Sequence, residues 1–274
     1  MLEQFFWSAT PDTQLIQGEY DLSLVFLSLT VCWIASAQAL RHAAFARLST
    51  SKSIRNWSIA SGSMALGIGI WAMHFIGMLA YSLHTPVQYD LPLTVLSILP
   101  GIAASAVALT LLSRNELNIK QLFLGGFIVG IGIATMHYSG MAAMKMDGSH
   151  YYSFLWFIVS LIVGVVLATL ALWVRFGLAR TRSQQKSWRK QLSSLIMGCA
   201  IAGMHYTAML ALRVTKDHAG HNQATSNDSL ILALTIALIT LVIGSLIAQS
   251  NALIHYRNRW QKVDMNEALK TFDA

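Results

Sequence analysis

Three short phrases carry the residue types able to do chemistry: Met73-His74-Phe75-Ile76-Gly77-Met78, Met136-His137-Tyr138-Ser139-Gly140-Met141 and Met204-His205-Tyr206-Thr207-Ala208-Met209. In each, a Met precedes the His and a second Met follows it by four residues, so on a helix the His and the later Met share a face. Imidazole binds copper, zinc, iron and nickel, and a thioether selects soft ions, Cu(I) above all. Three such pairs point to copper ahead of zinc or another transition metal, and away from calcium and magnesium, which take oxygen ligands. The expected ligands are His74, His137 and His205, with Met78, Met141 and Met209 as donors from the next turn. Met73, Met136 and Met204 lie about 100° round the helix from their His, so they are expected to pack behind the ligands. Tyr138 and Tyr206 are expected to enclose the site. Phe75 lacks a hydroxyl, which argues against a proton-transfer role shared by all three copies.

The elements that must position these residues are membrane helices. Hydrophobic residues make up 55% of the chain and charged ones only 11%, against roughly 25% charged in soluble domains, and the mean hydropathy is +0.52. Seven apolar stretches lie near 22–40, 57–80, 92–112, 121–144, 153–174, 192–212 and 230–249, each about the length that crosses ~30 Å of hydrocarbon. The phrases fall on the second, fourth and sixth, 63 and 68 residues apart, a period that suits one pair of spans with its loops. Gly67-Ile68-Gly69-Ile70, Gly130-Ile131-Gly132-Ile133 and Gly198-Cys199-Ala200-Ile201 stand at one offset before the His residues; small residues there let helices approach closely. The expected fold is all-α: a polytopic bundle of seven transmembrane helices, built as a threefold repeated hairpin plus a seventh helix.

Of the 19 Lys and Arg residues, only Lys145, Arg213 and Lys216 fall on one side of these spans. The positive-inside rule then puts the N-terminus outside and the C-terminus in the cytoplasm. Residues 1–20 form an outer segment, 21–250 the seven-helix domain, and 251–274 a cytoplasmic tail or connector, expected to lead to an output domain. No cleavable signal peptide is expected from the start Met1-Leu2-Glu3-Gln4. All three His residues come about 7 residues before their spans end, in one layer about 10 Å below the outer boundary. Ionisable residues at such a depth are costly and are functional candidates.

Other signals are weaker. The net charge of +7 is spread between spans rather than gathered on one face, so nucleic acid is not an expected partner. Cys32 and Cys199 lie in apolar runs and suggest no disulfide framework. His42 and His255 sit at a boundary, and His84, His150, His218 and His221 in polar outer loops, where solvation explains them. The loop from Arg175 to Lys190, with Trp188, suits anionic headgroups. With no nucleophile–base constellation and no phosphate-binding Gly loop, the chain is not expected to be an enzyme itself.

At the three phrases the chain resembles the MHYT domain, a bacterial integral-membrane sensor family named for Met, His, Tyr and Thr. Met204-His205-Tyr206-Thr207 matches in full, Met136-His137-Tyr138-Ser139 replaces Thr by Ser, and Met73-His74-Phe75-Ile76 keeps the first two. The resemblance covers roughly residues 15–255. It implies a multi-pass sensory input module of the bacterial inner membrane that binds copper through Met and His. It further implies sensing of O2, CO, NO, redox state or copper, ahead of cytoplasmic domains that make or degrade cyclic-di-GMP. Residues 266–274 are similar to connectors that precede output domains such as PAS. Two other readings stay open on the residues alone: a copper transporter or metal-handling membrane protein, and an oxidoreductase binding haem through paired His.

Overall fold

The computed structural model describes residues 5–7, 15–83, 87–146, 148–179, 187–215, 231, 234–247 and 249. Its helices are α1 (Leu22–Leu48), α2 (Lys52–Leu79), α3 (Leu91–Leu96), α4 (Ile98–Leu112), α5 (Ile119–Ala142), α6 (Phe154–Ala179) and α7 (Ser187–Met209), followed by the shorter apolar α8 (Leu234–Ile247). Helix starts carry local signals. The Asp21 carboxylate accepts from the Ser23 N–H at 2.8 Å at the head of α1, Asp90 accepts from Leu93 N–H at α3, and Asn118 with Gln121 forms a capping box at α5. Pro92 and Pro100 fall in the first turns of α3 and α4, where a missing N–H costs nothing. The two helices therefore run on as one span, Leu91–Leu112.

Among the described residues, six helices are long and apolar enough to cross a membrane: Leu22–Leu48, Lys52–Leu79, Leu91–Leu112, Ile119–Ala142, Phe154–Val174 and Gln191–Met209. They coincide with the first six expected stretches. The seventh, expected near 230–249, is described only as α8, which is shorter than the ~20 residues a crossing needs. Ala237 of α8 belongs to one apolar cluster with Leu24 and Val31 of α1 and Ala72 and Ile76 of α2. The tail 251–274 lies outside the described residues.

The bundle is a closed ring with pseudo-threefold order. Within each unit the hairpin partners pack together, α1 on α2, α4 on α5 and α6 on α7; between units, α2 packs on α4, α5 on α6 and α7 on α1. Each between-unit seam rests on one glycine against a neighbouring backbone: Gly67 on Ile102, Gly130 on Val165 and Gly198 on Trp33. A Cβ at Gly67 or Gly130 would come within 2.6 Å of that backbone, so larger residues would separate the helices. The expected packing role of these glycines holds.

The all-α expectation needs one correction. Among the described residues, seven strands of two to four residues cap one end of the bundle: β1 (Leu15–Ile16), β2 (Glu19–Tyr20), β3 (Tyr81–Ser82), β4 (Val87–Tyr89), β5 (Met144–Met146), β6 (Ser149–Tyr152) and β7 (Leu212–Thr215). The strand before each hairpin pairs antiparallel with the strand after it, β2 with β3, β4 with β5 and β6 with β7, and β1 adds to β7. One hydrogen bond closes each unit in the same way. The N–H of Asp21, Asp90 and Ser153 donates to the carbonyl of Ala80, Ala143 and Ala211 at 2.8, 2.8 and 2.7 Å. The structural unit is thus strand–helix–helix–strand. Chain leaving the apolar layer must satisfy its backbone polar groups, and three equivalent exits side by side do so by pairing. That is why the spans drawn to 144 and 212 end at Ala142 and Met209.

Candidate metal centre

α2, α5 and α7 form the inner triad of the ring, and each brings its His to the axis. The Nδ1 atoms of His74, His137 and His205 lie 3.1 Å apart in all three pairs. The rings meet edge to face, with centroids 4.8–5.1 Å apart, and all three residues are at most 1% exposed. Among the described residues this is the one group of His, Cys, Asp or Glu side chains able to hold a metal ion.

An equilateral triangle of side 3.1 Å has its corners about 1.8 Å from its centre, against a metal–imidazole bond of ~2.0–2.1 Å. The three atoms are close enough together to share one ion standing slightly off their plane. Hydrogen bonding alone serves them badly, since a proton on one Nδ1 satisfies a neighbour and leaves the third lone pair facing two nitrogens. Only a cation at the centre satisfies three acceptors at once. The donor set fits a transition metal that takes imidazole nitrogen.

The rings are held by shape. Each Nε2 is buried without a hydrogen-bond partner, where a metal-bound His ordinarily donates to a carboxylate or carbonyl. In place of that bond, the Nε2 side of His205 lies on Gly77 of α2, and that of His74 lies on Gly140 of α5; a Cβ at either glycine would overlap the ring. The fifth residue of one phrase is thus the seat for the imidazole of another. The third copy carries Ala208, itself buried.

The motif aromatics tie inner helices to outer ones. The Tyr206 hydroxyl lies 2.8 Å from Ser28 Oγ of α1, and the Tyr138 hydroxyl 2.8 Å from Ser160 Oγ of α6. Each Ser donates to its own helix, to Val25 O and Phe157 O at 2.7 Å, so the Tyr O–H is the donor across the seam. Phe75 has no hydroxyl to offer the equivalent Ser97. There the indole N–H of Trp71, one turn earlier, donates to Ser97 Oγ at 3.2 Å and to Thr94 O at 3.0 Å. Sequence reasoning missed Ser28, Ser97, Ser160, Trp71 and the seats Gly77 and Gly140. The signal that could have found two of them is spacing, since Ser97 and Ser160 stand 63 residues apart, as His74 and His137 do.

The methionines divide by layer. Met73, Met136 and Met204 are buried in the main core, Met136 beside Gly101 of α4 and Met204 beside Gly164 of α6. Met78, Met141 and Met209 form a separate cluster with Met144, Tyr152, Leu212 and Val214 toward the strand cap. Of the remaining His residues, His42 is buried in α1 against Gly62. His150 lies in β6 with its pKa lowered by burial. His84, His218, His221 and His255 lie outside the described residues, as does the middle of the expected loop, 180–186, whose two ends belong to α6 and α7.

Six apolar crossing helices and a buried three-His centre define a multi-pass membrane protein with a site able to hold a metal ion. The chain belongs to the MHYT family, whose repeat, described as a bacterial signalling protein N terminal repeat, matches residues 67–125, 130–185 and 198–259. It is 40% identical over 229 residues to the bifunctional diguanylate cyclase/cyclic di-GMP phosphodiesterase MucR of Pseudomonas aeruginosa, covering 84% of this chain and 33% of that protein. The signaling protein YkoW of Bacillus subtilis is 32% identical over 237 residues, covering 86% and 29%. The cyclic di-GMP phosphodiesterase NbdA of P. aeruginosa is 36% identical over 210 residues, covering 76% and 27%. The chain spans about a third of the length of these curated relatives. No solved structure matches it.

The family repeat runs in a different phase from the structural unit. It begins at Gly67, Gly130 and Gly198, joining each inner helix to the helix that follows. In space, the place beside α7 that corresponds to α4 beside α2 is filled by α1.

Proposed function

We propose that the chain is the sensory input module of a bacterial inner-membrane signalling protein, holding one copper ion on His74, His137 and His205. The observation that carries this reading is the convergence of three buried Nδ1 atoms at 3.1 Å. Met78, Met141 and Met209 are the candidate thioether donors, one turn beyond the His layer, and they favour copper over zinc. Met73, Met136 and Met204 pack behind the ligands, and Tyr138 and Tyr206 fix the helices that carry two of them.

When bound, the ion supplies a coordination position for a small ligand such as O2, CO or NO, or a redox change. The chain supplies the setting. Ile70, Ile133 and Ile201, one turn before each His, line an apolar cavity of about 40 Å³ together with Leu66 and Met204, next to the centre and large enough for a small apolar molecule. A copper transporter would need a polar path on that side, and these residues make it apolar.

The proposed signal leaves through α2. Ala72 and Ile76 flank His74 and share an apolar cluster with Ala237 of α8, so a shift of α2 would reach the helix that leads to residues 251–274. We take α8 as part of a seventh span, with the N-terminus outside and the C-terminus in the cytoplasm, joined to a cyclic-di-GMP output domain as in the longer relatives. A ligand drives such a shift only by binding one helix arrangement more tightly than the other.

Elemental analysis of protein purified in detergent tests the metal. One copper per chain, lost in a His74→Ala/His137→Ala/His205→Ala variant that still inserts, is expected. Absence of metal from both after copper reconstitution would overturn the reading.

A further inference from the structure

A groove of about 650 Å³ opens between α2 and α4 at the end of the bundle opposite the strand cap. Its mouth carries Lys52, Arg55 and Asn56, all exposed. Neither cation has an ion-pair or hydrogen-bond partner among the described residues, where the one salt bridge is Lys145–Asp90 at the other end. No acidic residue lines the groove. Beyond the mouth, Ile59 and Ile102 form apolar walls, and Ala60, Ser63 and Ala106 keep the floor open.

We infer that this groove binds one anionic phospholipid, its phosphate on Lys52 and Arg55 and an acyl chain along α2 and α4. The dimensions match. From Lys52 to Ser63 the helix rises about 16 Å, and one leaflet of a ~30 Å hydrocarbon core is about half that thickness. The charge pattern matches as well: two unpaired cations at the membrane boundary above an apolar channel complement an anionic headgroup above its chain, and basic pockets between membrane helices take such headgroups.

The pseudo-threefold order supplies an internal control. In the next unit, 63 residues on, the same seam lies between α5 and α6. There Asn115 and Asn118 replace Lys52 and Arg55, while Phe123 and Trp173 replace Ala60 and Thr110. Gly126 and Thr169, the counterparts of Ser63 and Ala106, are packed so closely that a Cβ on Gly126 would overlap Thr169. At these matched positions the two cations and the open floor are exchanged together, although Arg114 and Lys120 stand exposed beside them.

The full chain in neutral detergent, titrated with phosphatidylglycerol or with phosphatidylcholine of the same acyl chains and read by native mass spectrometry, tests this. One phosphatidylglycerol should be retained, in preference to phosphatidylcholine. K52A/R55A, which alters only exposed side chains, should weaken that binding roughly tenfold or more. A60F/T110W, which imports the second unit's residues, should abolish retention of either lipid with helicity unchanged. Equal retention of both lipids by the unaltered chain, or undiminished phosphatidylglycerol binding by K52A/R55A, would overturn the assignment, whatever becomes of A60F/T110W.

Discussion

At the scale of single residues, the centre depends on atoms the chain does not offer directly to the ion. Gly77 and Gly140 are small because His205 and His74 lie across them. Gly77→Ala or Gly140→Ala should push a ring off the axis and lower copper affinity by roughly tenfold or more, since metal sites tolerate only small displacements of their ligands. Ala208→Gly removes a methyl group and should leave affinity within a few-fold. Competition titration with a chromophoric copper chelator measures both. The seam bonds give a second prediction. Trp71→Phe leaves Ser97 without its cross-helix donor and should cost about 1 kcal/mol of stability. Adding Phe75→Tyr rebuilds the bond that Tyr138 and Tyr206 make and should recover most of it. Thermal unfolding of the two variants in one detergent decides this, and no recovery in the double variant would show that Trp71 acts through its bulk alone.

At the scale of elements, the strand cap holds the exits of α2, α5 and α7 in register. One strap is tied by charge: Lys145 of β5 donates to the Asp90 carboxylate at 2.7 Å, and Asp90 also caps α3. The hydrogen bond from Lys145, then that from Leu93 N–H, holds the Asp90 carboxyl below its usual range. Its folded pKa lies under its unfolded one. The linked stability is therefore complete above the unfolded value, about 4, and is lost as pH falls through the folded value. Asp90→Asn should remove that acid-dependent component while leaving the melting temperature at neutral pH only slightly lower. Melting curves of both proteins between about pH 6 and pH 2 test the sign.

At the scale of the whole molecule, an ion on the proposed centre would be shared by three units, so binding should stabilise the ring as a body. Copper at a hundred times its dissociation constant should add about 2.7 kcal/mol. A raised melting temperature in the intact protein and none in the triple alanine variant is the expected result. The ring also explains a mismatch of phase. The family repeat pairs α7 with the helix after it, yet α1 is already seated beside α7 through Gly198. α8 is left outside the ring, in an apolar cluster with α1 and α2.

Much of this was legible in the chain itself. Apolar runs of membrane length mark helices because lipid leaves backbone groups no partner outside a helix or a closed barrel, and each of the first six expected spans overlaps an observed helix, with ends shifted by up to eight residues. The repeated Met-His phrase, at one offset from a small-residue step, indicated three equivalent helices bearing three equivalent His residues at one depth. Linear spacing sets depth because a helix rises by a constant amount per residue. It says nothing about azimuth between helices. Only the closed ring decided that Nδ1 faces the axis, that glycines of one unit seat the imidazoles of another, that Trp71 answers for Phe75, and that the exits pair as strands. These are contacts between residues far apart in the chain, and they exist only once the seams at Gly67, Gly130 and Gly198 have brought the backbones together.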